Sequence, residues 1–266
     1  MLTTSKKTKL LNALKIYNKK YLHGKITELD ESGTRILVNT FLTEVLGYIP
    51  IEDVKTEYMI RGTYADYVIQ LKEERQFLVE VKALSYTLSD KHLRQAINYG
   101  ANEGIEWALL TNGKYFAFYK IIFDKPIDSR KIFYLDLSDS SQFKNCVEIL
   151  QYIHKEAILN KGLNILWNKT CALDPLNVAG ILLAHPVTNF IKRTLNKKFK
   201  SKFSDDEIQA SINRIIHEPI ALEDVKHTKI VKKKRKSNKE NIVEPNLAIL
   251  EPKPFENSEE PAIQAN

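Results

Sequence analysis

The chain has 266 residues, 43% of them hydrophobic and 27% charged. That composition excludes a wholly disordered protein and leaves room for one substantial core plus an appendage, or two small domains. The formal net charge of +7 favours an anionic partner, although much of the excess falls in one late tract. Cys146 and Cys171 are the only cysteines, so neither a disulfide framework nor a Cys-based zinc centre is expected, and a reducing, cytoplasmic setting fits. No signal-peptide pattern follows Met1 and no apolar run is long enough to span a bilayer, so a membrane is not an expected partner.

In chain order, residues 5–22 read as a basic helix with Leu10, Leu11, Leu14 and Tyr17 at helical spacing, ended by His23 and Gly24. Its lysines read as a solvated face, with phosphate contact as the alternative. A second helix is expected over 32–46, with Gly47 as its C-cap and Leu37, Val38, Phe41, Leu42 and Val45 as its buried stripe. Glu44 sits at the edge of that stripe. Two readings of it stay open: a rim charge reaching water, or an acidic group aimed at a site.

Val54 to Ile60 reads as a strand and Arg61-Gly62-Thr63 as a tight turn. YADYVIQL and QFLVEVKAL, rich in Val, Ile, Tyr and Phe, then form a hairpin around KEER. Leu88 to Glu103 reads as a helix capped by Ser89 or Asp90, with Leu93, Ala96, Ile97 and Gly100 as its packing face. Gln95 and Tyr99, four apart, are expected on one side away from that face, with His92. Glu106 to Thr111 reads as a buried strand, Asn112-Gly113 as a type I′ turn, Tyr115 to Ile122 as the partner strand and Lys131 to Leu137 as an edge strand. The expected architecture is α/β, a mixed sheet flanked by helices.

The hairpin carries the chemistry. Asp66 and Glu80 are equidistant from Glu73, so without a bulge they are cross-strand neighbours with side chains on one face. Strand alternation puts Glu80 and Lys82 on that face and Phe77, Val79 and Val81 on the other. Two adjacent carboxylates repel, and a divalent cation removes that cost. Mg²⁺ suits such a site, since it takes one or two carboxylates and keeps several waters. The Lys82 ammonium can orient or deprotonate a bound water and offset charge on a scissile phosphate. The bland alternative is a solvated sheet face with acidic residues, on which Gln95 and Tyr99 are ordinary polar groups.

Taken together, Glu44 in FLTEVLGY, Asp66 in ADYVI, Glu80 and Lys82 in LVEVKA, Gln95 and Tyr99 in RQAINYG, and then WALLTNGKYFAFY form an ordered series. Over roughly residues 30 to 137, the series resembles the N-terminal nuclease domain of type I restriction enzyme R subunits, a branch of the PD-(D/E)XK nuclease superfamily. The resemblance implies a restriction-endonuclease-like sheet and Mg²⁺-dependent cutting of DNA, with Mn²⁺ as a substitute. Asp66, Glu80 and Val81 would ligate the metal, Lys82 would serve the attacking water, and Glu44 would support the site. Gln95 and Tyr99 would match the helix motif needed for cleavage. It also implies DNA and other restriction or defence subunits as partners, and leaves a homodimer open. Asp66 follows alanine rather than the proline of the superfamily's name. No G-x-x-x-x-G-K-[ST] phosphate loop occurs in the chain, so it is expected to be the nuclease part alone, free-standing or working with other proteins. A catalytically silent DNA- or partner-binding module of the same fold is the alternative.

Three segments are expected: 1–137 as the nuclease-like domain, 138–221 as a helical region and 222–266 as a disordered basic, Pro-rich tail. In the helical region, Phe143 to Leu159 is amphipathic, Pro175 and Pro186 interrupt an apolar span, and Ser204 to Glu207 reads as a capping box. Trp167 and Phe190 are expected in the core. The region suits a subdomain, a dimer face or a DNA-positioning arm equally well. The run KKKRK at 232–236 suits loose phosphate contact, or a merely solubilising tail. Deleting residues 226–266 should therefore weaken DNA binding and flatten its salt dependence without abolishing metal-dependent cutting. Binding isotherms over a salt series test this, and an unchanged slope would remove the phosphate-contact role.

Overall fold

Strands rich in β-branched and aromatic residues build a six-stranded sheet in which spatial order follows chain order. They are β1 (Val54–Ile60), β2 (Thr63–Leu71), β3 (Glu74–Val81), β4 (Trp107–Thr111), β5 (Tyr115–Ile122) and β6 (Asp128–Asp136). The computed structural model describes residues 1–23, 28–60 and 63–217. The expected turn at Arg61-Gly62, the helix stop at Gly24 and everything after His217, including the tail, lie outside the described residues. Neighbouring strands run antiparallel except β3 and β4, which are parallel. A parallel pair needs a crossover, and α3 (Asp90–Glu103) supplies it. The expected edge strand is β6, which begins at Asp128 rather than Lys131.

Side chains alternate across the sheet, and each face has its own core. On one face Phe77, Val79, Val81, Leu109, Phe116 and Phe118 pack with Leu37, Val38, Phe41 and Leu42. Those last residues belong to α2 (Glu31–Thr40) and the π-helical turn Phe41–Val45 that continues it. Gly47 follows with a left-handed φ of 77°, the backbone shape its C-cap role requires. On the other face Leu78, Ala108, Leu110 and Tyr119 pack against Leu93, Ala96 and Tyr99 of α3. Tyr99 was expected to stand away from the packing face. It is instead only 1% exposed, because a residue three beyond Ala96 falls in the same helical stripe.

The N-terminal helix α1 (Thr4–Tyr17) extends through a π-helical turn, Asn18–Leu22. Buried polar groups tie its end to the sheet: Tyr17 OH donates to the Gly113 carbonyl at 2.6 Å, and Asn18 Nδ2 donates to the Leu137 carbonyl at 2.7 Å. Its lysines lie on the exposed side as expected, Lys7 being half-buried, and two of them make surface ion pairs, Lys7 with Glu148 at 2.7 Å and Lys6 with Glu156. The β4–β5 turn also departs from expectation. Gly113 has φ 81°, but Asn112 is not left-handed, as a type I′ turn would require. Asn112 Oδ1 instead accepts from the backbone N–H of Lys114 and of Tyr115, at 3.1 and 2.8 Å, a side-chain-closed turn.

Beyond the sheet lie a 3₁₀ turn at Ser140–Gln142 and the helices α4 (Phe143–Leu150), α5 (Lys155–Ile158), α6 (Gly162–Ala172), α7 (Pro175–Leu183), α8 (His185–Phe199) and α9 (Asp205–His217). The amphipathic stretch over 143–159 thus forms two helices. Tyr48 OH donates to the Ile153 carbonyl at 2.6 Å and the Lys155 N–H to the Leu46 carbonyl at 3.0 Å, which draws the chain out of the helix between them. Pro175 and Pro186 open helices rather than break one, since the first turn has no use for their missing N–H. The Ser204–Glu207 capping box forms as expected. Trp167 packs half-buried against Trp107. Phe190, expected in the core, is 71% exposed, because α8 buries only Thr188.

Cys146, Val147, Leu150, Leu163 and Leu166 belong to the first core, and residues 1–217 form one compact unit. Packing therefore does not divide at 137/138. No helix among the described residues is long and apolar enough to cross a membrane. Gly100, on the packing face of α3, has no room for a side chain. A Cβ there would meet the Ile105 carbonyl oxygen at 2.6 Å and Ile121 Cδ1 at 2.7 Å. Gly100→Ala should lower stability by about 1–3 kcal/mol. Gly180→Ala in α7, where a Cβ meets nothing within 4 Å, should hold or gain up to about 1 kcal/mol. Urea midpoints of the two variants test the contrast.

Candidate functional site

The β2–β3 hairpin brings the acidic pair together by a route the sequence hides. The connection is only Lys72-Glu73, both left-handed at φ 49° and 68°, and Glu74 and Arg75 already belong to β3. A tight turn of this kind sets the register Leu71↔Glu74 and Gln70↔Arg75, but from Ile69 onward the pairs are Ile69↔Phe77, Val68↔Leu78 and Tyr67↔Val79. Gln76 is the extra residue of a β-bulge, and it shifts the register by one. One step past Tyr67↔Val79, Asp66 and Glu80 then stand opposite each other. Without the bulge, a one-residue slip would have turned the two carboxylates to opposite faces.

At this open end of the hairpin, ladder pairing between β2 and β3 gives way to side-chain contacts. Asp66 Oδ2 accepts from the Val81 N–H at 2.7 Å, and Asp66 Oδ1 forms an ion pair with Arg35 Nε at 2.7 Å. Lys82 Nζ donates to Glu80 Oε1 at 2.6 Å and lies 3.8 Å from Glu31 Oε2. Glu31 Oε1 in turn lies 3.6 Å from an Arg35 Nη2. Charges thus alternate along one chain: Asp66, Arg35, Glu31, Lys82, Glu80. Asp66 and Glu80 are only 7% and 3% exposed, so these are not solvated surface acids.

Neither Glu31 nor Arg35 was expected from the sequence. Their signal was there, an opposite-charge i,i+4 pair on the first turns of a helix and off its apolar stripe. Local bonds hold them in place. Asp30 Oδ1 accepts from the Gly33 N–H at 2.7 Å and caps α2 just before Glu31. The Leu84 N–H donates to the Leu29 carbonyl at 3.1 Å, joining the start of that helix to the segment after β3. Asn112 Nδ2 donates to the carbonyls of Leu84 and Tyr86 at 3.1 and 2.9 Å, fixing that segment in turn.

The expected site residues fare unequally. Asp66, Glu80 and Lys82 converge, with Val81 beside them. Gln95 is exposed on α3, the helix on the same face as Leu78 and Glu80, while Tyr99 is in the core. Glu44 is exposed at the far end of the α2 helix, about 20 Å along the axis from Glu31 at 1.5 Å per residue. The rim-charge reading of Glu44 fits that position, and Glu31 is the helix carboxylate at the cluster. His92 has a local task, its Nδ1 accepting from the Ser89 N–H at 3.3 Å at the start of α3.

Burial pushes the Glu80 carboxyl up to about 7, against the hydrogen bond and charge of Lys82, and the Asp66 and Glu31 charges push it the same way. Burial pulls the Lys82 ammonium down, but the Glu80 hydrogen bond and the charges of Glu80, Glu31 and Asp66 outweigh it, and its pKa is raised. Lys82 is therefore an ammonium donor at neutral pH. Among the described residues no group of three or more His, Cys, Asp or Glu side chains is placed to hold a metal ion. The two carboxylates offer oxygen donors alone, and the Val81 main-chain carbonyl that the resemblance implies as a ligand would keep the donor set all-oxygen. That set suits a hard divalent cation, which keeps waters in its remaining positions. Each carboxylate oxygen of Asp66 has accepting capacity beyond its present partner, and the buried charge of Glu80 is undercompensated. On both counts the residues fit such an ion.

A carboxyl whose pKa is raised by folding holds its proton more tightly in the folded chain. Its contribution to stability therefore falls as pH rises from the ordinary carboxylate range through about 7. Glu80→Gln should raise stability by about 1–3 kcal/mol at pH 8, and the gain should shrink towards zero as pH falls to 5. Thermal melts at the two pH values measure it, and a variant less stable than wild type at pH 8 would contradict the assignment of burial as the dominant cause.

The cluster lies inside a stretch that a known family also recognises. Residues 30–128 match the model of the type I restriction enzyme R protein N terminus. No curated protein and no solved structure matches the chain. The match runs from the cap of α2 to the first residue of β6 and takes in every member of the charge chain. Residues 30–128 are thus similar to the type I restriction enzyme R protein N-terminal family, the one that the ordered motif series resembles.

Proposed function

We propose that this protein is a Mg²⁺-dependent endonuclease that hydrolyses DNA phosphodiester bonds in a restriction or anti-phage system, with other defence subunits as working partners. The observation that carries this reading is the convergence of Asp66, Glu80 and Lys82 at the open end of the β2–β3 hairpin, within the matched segment. Asp66, Glu80 and the Val81 carbonyl would hold the ion, with Mn²⁺ as a substitute. Bound there, it supplies Lewis-acid polarisation of the phosphoryl group and stabilises the leaving oxygen.

The chain's own residues do the rest. Lys82, held between Glu80 and Glu31, presents an ammonium that can hydrogen-bond the attacking water and offset charge on the phosphate. Its raised pKa favours orienting the water over deprotonating it. The Val81 N–H fixes the rotation of the Asp66 carboxylate, so the lone pairs left for a ligand have a set direction.

A second reading is a binding module of the same fold that holds DNA or a partner without cutting. The engagement of both Asp66 oxygens, by Arg35 and by the Val81 N–H, favours it. Plasmid incubated with purified protein and Mg²⁺ separates the two. Lys82→Ala and Asp66→Ala should each lower nicking by a factor on the order of 10² or more. Equal nicking by all three proteins would rule out catalysis at this site, and DNA binding with no cleavage under any condition would establish the module.

A further inference from the structure

We propose that Arg35 is the protein's own competitor for the metal position at Asp66, and that ion binding transfers its guanidinium to a phosphate of a nucleic-acid strand in the cleft between α2 and β1. The inference rests on the reading of Asp66 and Glu80 as metal ligands. Arg35 Nε stands 2.7 Å from Asp66 Oδ1, on a carboxylate whose side chain is 6% exposed, while the Arg35 side chain itself is 35% exposed. One end of this residue thus touches a buried ligand oxygen and the rest borders solvent. A divalent cation and a guanidinium at the same oxygen repel each other, so each weakens the binding of the other.

The guanidinium has somewhere to go. Arg35 also lines a cleft of about 630 Å³ shared with Asn39, Lys55, Thr56 and Tyr67. Its backbone stays put, because Tyr67 OH donates to the Arg35 carbonyl at 2.7 Å. The side chain alone would move, with Glu31 3.6 Å away as a second anchor. Lys55 supplies another cation in the cleft, its Nζ bonded to the Ile51 carbonyl at 2.9 Å.

The rim carries Ile36 and Ile51, 72% and 85% exposed. Ile51 adopts φ 66°, a strained conformation for a β-branched residue and one that tends to persist where it serves a site. Two cations lining one open cleft match the phosphates of a strand of nucleic acid, as in the positively charged grooves that track such a backbone. The cleft is continuous with the carboxylate pair through Arg35 itself. A role for Arg35 confined to tying α2 onto the sheet would give it no bearing on metal affinity beyond general destabilisation.

Calorimetric titration with MnCl₂, without nucleic acid, tests the first half. Arg35→Ala and Arg35→Gln should bind Mn²⁺ on the order of tenfold more tightly than wild type, whereas Arg35→Lys, which keeps the charge, should stay near wild type. Unchanged or weaker binding in both neutral variants, with the fold intact by circular dichroism, would overturn the proposal. For the second half, a short duplex oligonucleotide is titrated in a Lys82→Ala background that suppresses cutting. Adding Arg35→Ala should weaken binding several-fold more in Mg²⁺ than in EDTA, and an equal loss in both would overturn the transfer to phosphate. If wild type shows no Mn²⁺ binding that Asp66→Ala abolishes, the metal reading itself fails and this inference with it.

Discussion

Two carboxylates buried side by side are the constraint around which this fold is arranged. Asp66 and Glu80 sit on adjacent strands at the end of a hairpin, nearly shut off from water, where like charges cost stability. The chain answers with Arg35 and Lys82, and with Glu31 placed between those two cations. Three acids alternate with two bases, which leaves an excess of negative charge, and burial, with the Asp66 and Glu31 charges adding to it, raises the Glu80 carboxyl. A protein selected only for stability would replace such a pair by apolar residues of similar volume. Its retention in a sheet otherwise rich in Val, Leu and Phe is therefore an argument for use.

Holding that pair in register demands cooperation between distant parts of the chain. The bulge at Gln76 aligns the acids, while the Leu84–Leu29 bond brings the beginning of α2 over the strand end. Asn112, in the β4–β5 turn, secures the connecting segment with two side-chain bonds. The first core then locks the helix in place: Phe41 stacks 4.2 Å from Phe116, and Phe77 and Trp107 both meet Phe118. α4 and α6 complete this core, so the helices after the sheet are part of what keeps α2, and with it Arg35 and Glu31, in position.

Much of the scaffold was legible in the sequence because its signals are local. β1 and β5 end where their β-branched and aromatic runs end, the stripe of α2 is buried residue for residue, and Ser204 and Glu207 close their box as written. The acidic pair was legible for a less secure reason. A turn centred on Glu73 and an unbulged ladder give the same facing pair as a shorter turn and a one-residue bulge, so two departures offset each other. What stayed hidden depends on tertiary placement. Glu44 and Glu31 lie on one helix, and only the docking of its first turn against β3 decides which of them meets Lys82. Tyr99 and Gln95 share a spacing, yet the curvature of the stripe through Leu93 and Ala96 buries one and exposes the other. Phe190 is apolar, and an isolated helix carries no information about whether anything covers it.

The same cluster explains why a chemical role and a binding role are hard to separate by fold and easy to separate by chemistry. A module that only grips a strand gains from cations facing outward, and nothing in that task calls for a carboxylate buried beside another. The role proposed for Arg35 would reconcile the two. While it pairs with Asp66, the acids are quiet and the cleft presents one cation fewer. On the proposed reading, a divalent ion at that oxygen would commit the acids to the metal and turn the guanidinium towards phosphate. Charge that would repel the substrate would thereby be neutralised at the same moment that charge attracting it appeared. A static arrangement of the same five side chains could not couple those events, because coupling requires a group with affinity for both partners and room to reach only one at a time.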